Sequence, residues 1–337
     1  MISMLIEQSR EVRLVSYPEG LPKDTNFGMN TVSLKAPANG EVQIRNTWMS
    51  VDPYMRGQMR GKDTYVPGFK IGEPLTGGAV GVVTTSESPL FIEGDTVLSH
   101  LGWREAFNAR AAQLTKLDVT RLSPEVYLGA AGLTGLSAYV GLLQIAKIKE
   151  GDIVFVSGAA GAVGSVACQI AKLKGAFVIG SAGGAEKCEF LRQIGVDSVI
   201  DYKNTVDLVA ALHAAAPHGL DVFFDNVGGK HFEAAVLVAR PHARFALCGR
   251  ISTYNNTVQG LPDPGAGKSK QLSIKQFLVT EYFHLMPSFV SEMTDWIQSG
   301  RVVSRETVEI GLERAVAAFL MLFSGGNVGK MLVRLAE

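Results

Sequence analysis

Cysteine is scarce in this chain: three in 337 residues, Cys168, Cys188 and Cys248, an odd and widely spaced set. That count excludes a disulfide-stapled secreted scaffold and matches the reduced thiols of a cytoplasmic protein. Net charge is lacking as well. Lys and Arg number 32, Asp and Glu number 32, and basic runs are absent, so neither nucleic acid nor an anionic membrane surface is an expected partner. No window approaches the roughly 18 apolar residues of a transmembrane helix. Glu7, Arg10, Glu11 and Arg13 interrupt the N-terminus as no signal peptide allows. Internal repeats and low-complexity tracts are missing too. What is left, 47% hydrophobic and 19% charged residues, describes a globular chain long enough for two domains.

The stretch from Asp152 to Lys174 carries the strongest local signal. Asp152-Ile153-Val154-Phe155-Val156-Ser157 is a continuous β-branched and aromatic run, the composition of a strand buried on both faces. Val163, Val166, Ala167, Ile170 and Ala171 then recur at helical spacing, so one stripe of a helix faces a sheet. Between them Gly158-Ala159-Ala160-Gly161-Ala162-Val163-Gly164 lets the backbone turn sharply and approach a ligand closely. The spacing Gly-x-x-Gly-x-x-Gly departs from the Gly-x-Gly-x-x-Gly fingerprint, and a tight packing turn would need the same residues. The surroundings decide between the two. Strands are expected at 176–181, 198–202, 221–224 and 244–247, with helices at 186–194 and 207–216. This alternation predicts a doubly wound parallel sheet with the glycine turn after its first strand, where dinucleotides bind.

A further absence selects the dinucleotide. An NAD site places Asp or Glu at the end of the second strand to hold the ribose hydroxyls. Here that end reads Gly180-Ser181-Ala182-Gly183-Gly184, and Lys187 follows within a helical turn. No carboxylate is present to repel a 2′-phosphate, which argues for NADPH.

Residues up to about Val119 have a different texture. Short alternating runs at 40–45, 78–83 and 95–98, bounded by glycine, proline and polar turns, predict a small, mostly antiparallel β domain. A helical crossover at 132–146 leads into the parallel half, and a last strand of it is expected at 275–279. A helix at 287–299, a strand at 307–310, a helix at 312–323 and a strand at 330–335 follow, and these closing elements are expected to rejoin the β domain. The expected division is residues 1–127 with 300–337 against 128–299, with the substrate bound between the two. Gln259 to Ser269, with Pro262-Asp263-Pro264-Gly265, reads as a surface loop.

Five motifs in chain order resemble one family: Val51-Asp52-Pro53-Tyr54-Met55-Arg56, Gly132-Leu133-Thr134-Gly135-Leu136-Ser137-Ala138-Tyr139, Phe224-Asp225-Asn226-Val227-Gly228-Gly229, Cys248-Gly249-Arg250-Ile251-Ser252-Thr253-Tyr254-Asn255 and Asn327-Val328-Gly329-Lys330. With the glycine turn they are similar to the zinc-free double-bond reductases of the medium-chain dehydrogenase/reductase superfamily, which include prostaglandin, plant alkenal and bacterial curcumin reductases. The resemblance implies a Rossmann sheet plus a GroES-like β domain, and a homodimer. It also implies a cofactor site. Ala160, Gly161, Ala162 and Val163 would hold the pyrophosphate, and Lys187 and Tyr202 would flank the 2′-phosphate and ribose. Asn226, Cys248, Gly249, Ile251, Ser252, Thr253, Tyr254, Phe277, Leu278, Val279 and Asn327 would line the rest.

Zinc dehydrogenases need thiolate and imidazole ligands, yet the β domain holds no cysteine, and Gly72-Glu73-Pro74 stands where a Gly-His-Glu is usual. The expectation is a metal-free enzyme. Hydride addition to a small hydrophobic enone or enal is the chemistry within reach, needing a close nicotinamide and a donor at the carbonyl oxygen. Tyr254 is the first candidate for that donor and Tyr54 the second, since a phenol titrates near about 10 and stays protonated at pH 7. A zinc-free quinone reductase and a non-catalytic NADPH-binding protein on the same fold are the alternatives.

Overall fold

The computed structural model describes residues 5–63, 66–256, 265 and 267–336. Its contacts divide the chain into two compact units, one of residues 1–128, 307–326 and 331–337, the other of residues 129–306 and 327–330.

In the first unit the long strand Glu41–Ser50 is central. It pairs antiparallel with Ala79–Ser86, with Ala106–Arg110 and with Lys330–Arg334. Thr96–Ser99 and Thr115–Lys116 extend one side and Glu306–Ile310 the other, and a separate antiparallel pair joins Gln8–Leu14 to Phe27–Ser33. Apolar residues on the inward face build a core around Trp103, which stacks on Phe27 at 6.4 Å and meets Phe319 edge-on at 6.1 Å. Phe319 comes from the helix Ala315–Ser324, whose Ala315, Ala318 and Leu322 pack into the same cluster.

The second unit is a six-stranded sheet with every pair parallel: Ile153–Val156, Phe177–Ala182, Ser198–Asp201, Leu220–Asp225, Ala239–Leu247 and Ser273–Gln276. Numbered along the chain, they lie in the order third, second, first, fourth, fifth, sixth. The order reverses between the first and fourth strands, the switch point at which such sheets bind ligands. The middles of both central strands are apolar because both faces are covered: Val154, Phe155, Val156, Phe223 and Phe224 have no solvent exposure. The helices Leu133–Val140 and Ala162–Leu173 pack on one another, as do Leu208–Ala215 and Lys230–Val238. The fold is the expected one, a doubly wound Rossmann sheet with a GroES-like, mostly antiparallel β domain.

Three details differ from the sequence reading. The sixth strand is Ser273–Gln276, not residues 275–279; Leu278 caps and Val279 opens a 3₁₀ helix through Leu285, so the apolar run Phe277-Leu278-Val279 fills space beside the sheet. The crossover α-helix stops at Val140 and continues as one π turn, Gly141–Ile145. Residues 300–306 and 327–330 group with the parallel sheet. Gln169, on the helix after the first strand, bonds the amide and the carbonyl of Val303, at 2.7 and 3.0 Å. Most of the loop expected at 259–269 lies outside the described residues. Among those described, no helix is long and apolar enough to cross a membrane.

Phe223 is central to the second core, stacked on Phe155 and edge-on to Phe245, each at 5.2 Å. Replacing it with alanine should cost about 3–5 kcal/mol through lost transfer energy and a residual cavity. The check is a urea midpoint that falls by that amount at unchanged slope.

Candidate cofactor and active site

The first strand ends at Val156, the chain turns through residues 157–161, and the helix Ala162–Leu173 begins. Two glycines make this geometry possible. Gly158 sits at φ +57°, a left-handed conformation that glycine adopts without steric cost, and a Cβ there would stand 3.2 Å from Val227. Gly164 presses the first helical turn onto the loop, where a Cβ would collide with the Gly158 carbonyl oxygen. Gly161 is the N-cap, and no side chain caps the helix. The amides of Ala162 and Val163 therefore have no intrahelical acceptor and sit at the positive end of the helix dipole. The carbonyl of Ala160 accepts the Gly329 amide at 2.8 Å, and Asn327 Nδ2 donates to the Gly329 carbonyl at 2.8 Å. Asn327 is thereby tied to the glycine turn through its own loop.

Beside this turn, Asp225 ends the fourth strand with only 1% of its surface exposed. Its Oδ1 accepts from Ser157 Oγ at 2.7 Å and from the amides of Val227 and Gly228 at 3.0 and 2.9 Å. Burial pushes its carboxyl above the ordinary range, and the Gly228, Ser157 and Val227 donors pull it back. Its backbone carbonyl accepts the amides of Cys248 and Gly249 at 2.9 and 3.0 Å. Asn226 bonds back to the turn, its amide donating to Ser157 Oγ and its Nδ2 to the Ser157 carbonyl, both at 2.8 Å. Ile251–Thr253 then forms one 3₁₀ turn, with the amides of Ile251 and Ser252 on the carbonyls of Asn226 and Val227 at 3.3 and 3.2 Å. Tyr254 closes it, its half-buried hydroxyl accepting from the Arg250 amide at 3.2 Å.

At the other end of the turn the second strand finishes at Ala182 with no carboxylate. Lys187 stands in the first turn of the next helix, Ala185–Gln193, and Tyr202 follows the third strand. Burial first, and then the charge of Lys203, lower the Lys187 ammonium below its usual range, with Glu186 opposing. Asp201 is the nearest acid on the third strand. It is engaged internally, by the amides of Gly184 at 3.0 Å and Lys203 at 3.1 Å and by Asn204 Nδ2 at 2.8 Å. These residues fit a phosphorylated dinucleotide: an uncapped helix start for the pyrophosphate and cationic side chains where an NAD site needs an acid.

The structure thus gathers Ala160, Gly161, Ala162, Val163, Asn226, Cys248, Gly249, Ile251, Ser252, Thr253, Tyr254 and Asn327 around one loop system, with Lys187 and Tyr202 together at its far end. Phe277 is buried against Phe224 at the close approach of Gly141. Tyr54 belongs to the other unit, at the start of the short helix Met55–Gln58 and against the cluster that contains Met55 and Phe319. Sequence reasoning gave Asp225 and Lys203 no role. An acid closing an apolar strand, followed by Asn-Val-Gly-Gly, was the available signal for Asp225, because such a carboxylate has to find donors.

Known proteins agree with this architecture. Residues 10–117 match the family described as the N-terminal domain of oxidoreductase, and residues 162–299 the one described as zinc-binding dehydrogenase. A putative NADP-dependent oxidoreductase of Bacillus subtilis is 38% identical over 333 residues, 97% of this chain and 98% of that one. The NADP(+)-dependent 2-alkenal reductase of Nicotiana tabacum is 38% identical, with 98% of each chain covered. The crystal structure of CurA from Vibrio vulnificus in complex with NADPH superposes with a TM-score of 0.91 at 37% identity, covering 97% of this chain and 99% of that one. The chain belongs to the medium-chain dehydrogenase/reductase family, in its group of NADP-dependent double-bond reductases.

His231 sets a pH limit on this region. It is buried between Phe155, stacked at 6.3 Å, and Tyr202, edge-on at 5.1 Å, and its Nε2 has no hydrogen-bond partner among the described residues. Burial lowers its pKa from 6.5 to about 4. The folded ring stays neutral while the unfolded one protonates, so stability present above pH 6.5 is lost as pH falls toward 4, at up to about 1.4 kcal/mol per pH unit. His231→Phe should lose about 1.6 kcal/mol less than the parent between pH 6.5 and 5 in urea titrations. Equal losses would show that His231 does not titrate this way.

Proposed function

We propose that this protein reduces the carbon–carbon double bond of small, hydrophobic α,β-unsaturated ketones and aldehydes, using NADPH. The carrying observation is full-length kinship with a 2-alkenal reductase, joined to a loop system suited to a phosphorylated dinucleotide. When bound, NADPH would supply hydride to the β-carbon and become NADP+, and the enolate left on the substrate would take a proton at its α-carbon from water or a tyrosine.

The residues divide the remaining work. The amides of Ala162 and Val163 at the uncapped helix start hold the pyrophosphate, and Lys187 and Tyr202 hold the 2′-phosphate end. Asn226, Cys248, Gly249, Ile251 to Thr253, Phe277 to Val279 and Asn327 line the rest of the cofactor. Tyr254 donates its phenolic hydrogen to the substrate's carbonyl oxygen, where charge develops. The hydrogen bond it accepts from the Arg250 amide polarises that hydroxyl and strengthens the donation. Tyr54 is the second candidate donor. In this reading the enzyme needs no metal, because the β domain holds no cysteine and Gly72-Glu73-Pro74 stands where zinc dehydrogenases carry Gly-His-Glu. A conjugated double bond suits such a site because the substrate delocalises its own charge, whereas a plain ketone calls for a Lewis acid. The same reading makes the protein a cytoplasmic homodimer, in keeping with its three free cysteines and its family resemblance.

Loss of NADPH absorbance with an alkenal, set against the same assay with a quinone, tests the reaction; turnover of the quinone alone would replace this reading with that of a quinone reductase. Tyr254→Phe should lower kcat by roughly tenfold to a thousandfold while leaving NADPH affinity within a factor of about two. Lys187→Ala should raise the Kd for NADPH by about tenfold and spare NADH, since a lost phosphate contact affects only the phosphorylated cofactor. Equal losses for both cofactors would exclude the phosphate role.

A further inference from the structure

The corner at the end of the second strand holds a second lysine, Lys203. A Cβ built on Gly183 would lie 2.9 Å from both Cζ and Oη of Tyr202 and 3.0 Å from Cε of Lys203, so both side chains fold over the same glycine. The backbone is fixed there. Asp201 Oδ1 accepts the amides of Gly184 and of Lys203, and the Tyr202 amide bonds the Ala182 carbonyl at 3.1 Å, which clamps residues 182–184 to residues 201–203. Lys203 is close enough to Lys187 to disfavour that residue's charge.

Three cations surround this corner, and they differ in what neutralises them. Arg305 pairs with Glu186 at 3.2 Å and lies over the Phe190 ring at 5.1 Å. Among the described residues neither Lys187 nor Lys203 forms an ion pair; Glu186 favours the Lys187 charge from farther off, and Lys203 disfavours it. A doubly charged anion between them would relieve that repulsion and make charge-assisted hydrogen bonds to both.

We infer that Lys203 is a specificity-determining residue: with Lys187 and the Tyr202 hydroxyl it forms a two-lysine clamp over Gly183 for the 2′-phosphate of NADPH. This rests on the cofactor reading above and adds a second positive charge to it. In this clamp Lys203 would meet only the phosphate end of the cofactor, so its effect falls on cofactor choice. Discrimination between NADPH and NADH is then shared by two positions, and removing either lysine leaves part of it.

The test is the affinity of the full-length protein for NADPH, NADH and adenosine 2′,5′-bisphosphate, by calorimetry or fluorescence, in the parent and in Lys203→Gln, Lys203→Arg and Lys187→Gln. Lys203→Gln should weaken NADPH and the bisphosphate by roughly five- to tenfold and leave NADH within twofold. Lys203→Arg should recover most of the loss, because the charge and its hydrogen-bond donors are kept. NADPH affinity unchanged in Lys203→Gln but reduced in Lys187→Gln would overturn the clamp and leave the proposed function standing. A parent protein that binds NADH as well as NADPH would overturn the cofactor reading itself, and the clamp with it. A loss in Lys203→Gln that is equal for NADH, or that arginine does not rescue, would assign Lys203 a structural role instead.

Discussion

A buried carboxylate governs the ligand-binding end of the parallel sheet. Removing an ionised acid from water costs several kcal/mol unless donors replace the lost hydration. At Asp225 those donors come from the end of the first strand, through Ser157, and from the loop after the fourth, through Val227 and Gly228. The residue's own carbonyl then takes the amides that start the loop after the fifth strand. One side chain and its carbonyl thus bind together the three loops that flank the switch point. Asn226 and the turn carrying Tyr254 keep fixed relative positions because Asn226 bonds Ser157 and the Ile251 and Ser252 amides bond the carbonyls of Asn226 and Val227.

That arrangement separates two kinds of polarity within one crevice. Near Asp225 the groups that join the loops are backbone amides, the Ser157 hydroxyl and the Asn226 side chain. At the other end, by Gly183, the polar groups are ammonium ions. A molecule with a neutral, flat reactive end and an anionic far end matches this gradient, and NADPH is such a molecule. If the proposed roles hold, discrimination and chemistry fall to different residues, and cofactor preference could change without disturbing the reacting end.

The architecture was largely legible in the sequence because it rests on periodicity. Val154 to Val156 and Phe223-Phe224 could only be buried strands, and the stripe from Val163 to Ala171 only a helix against a sheet. The site was legible where a motif marks a backbone shape, as at Gly158 and Gly164. It was least legible where function depends on residues brought together from separate strands. Lys203, one position past Tyr202, looks like any surface lysine until Gly183 is seen beneath it. Asp225 sat inside a recognised motif, but its bonds to Ser157 join residues 68 positions apart. Leu278 and Val279 misled for the opposite reason: an apolar run of the right length can fill space beside a sheet as readily as extend it.

The short run 327–330 belongs to the parallel-sheet unit although both its neighbours along the chain belong to the other. Its Gly329 amide supplies the donor on the Ala160 carbonyl, in the middle of the glycine turn. A gene fragment encoding only residues 129–306 would retain all six parallel strands and still be missing a support beneath its own glycine turn. The cofactor half of this protein is therefore not a portable cassette, and shuffling it onto another partner would require carrying four residues from near the far end of the chain.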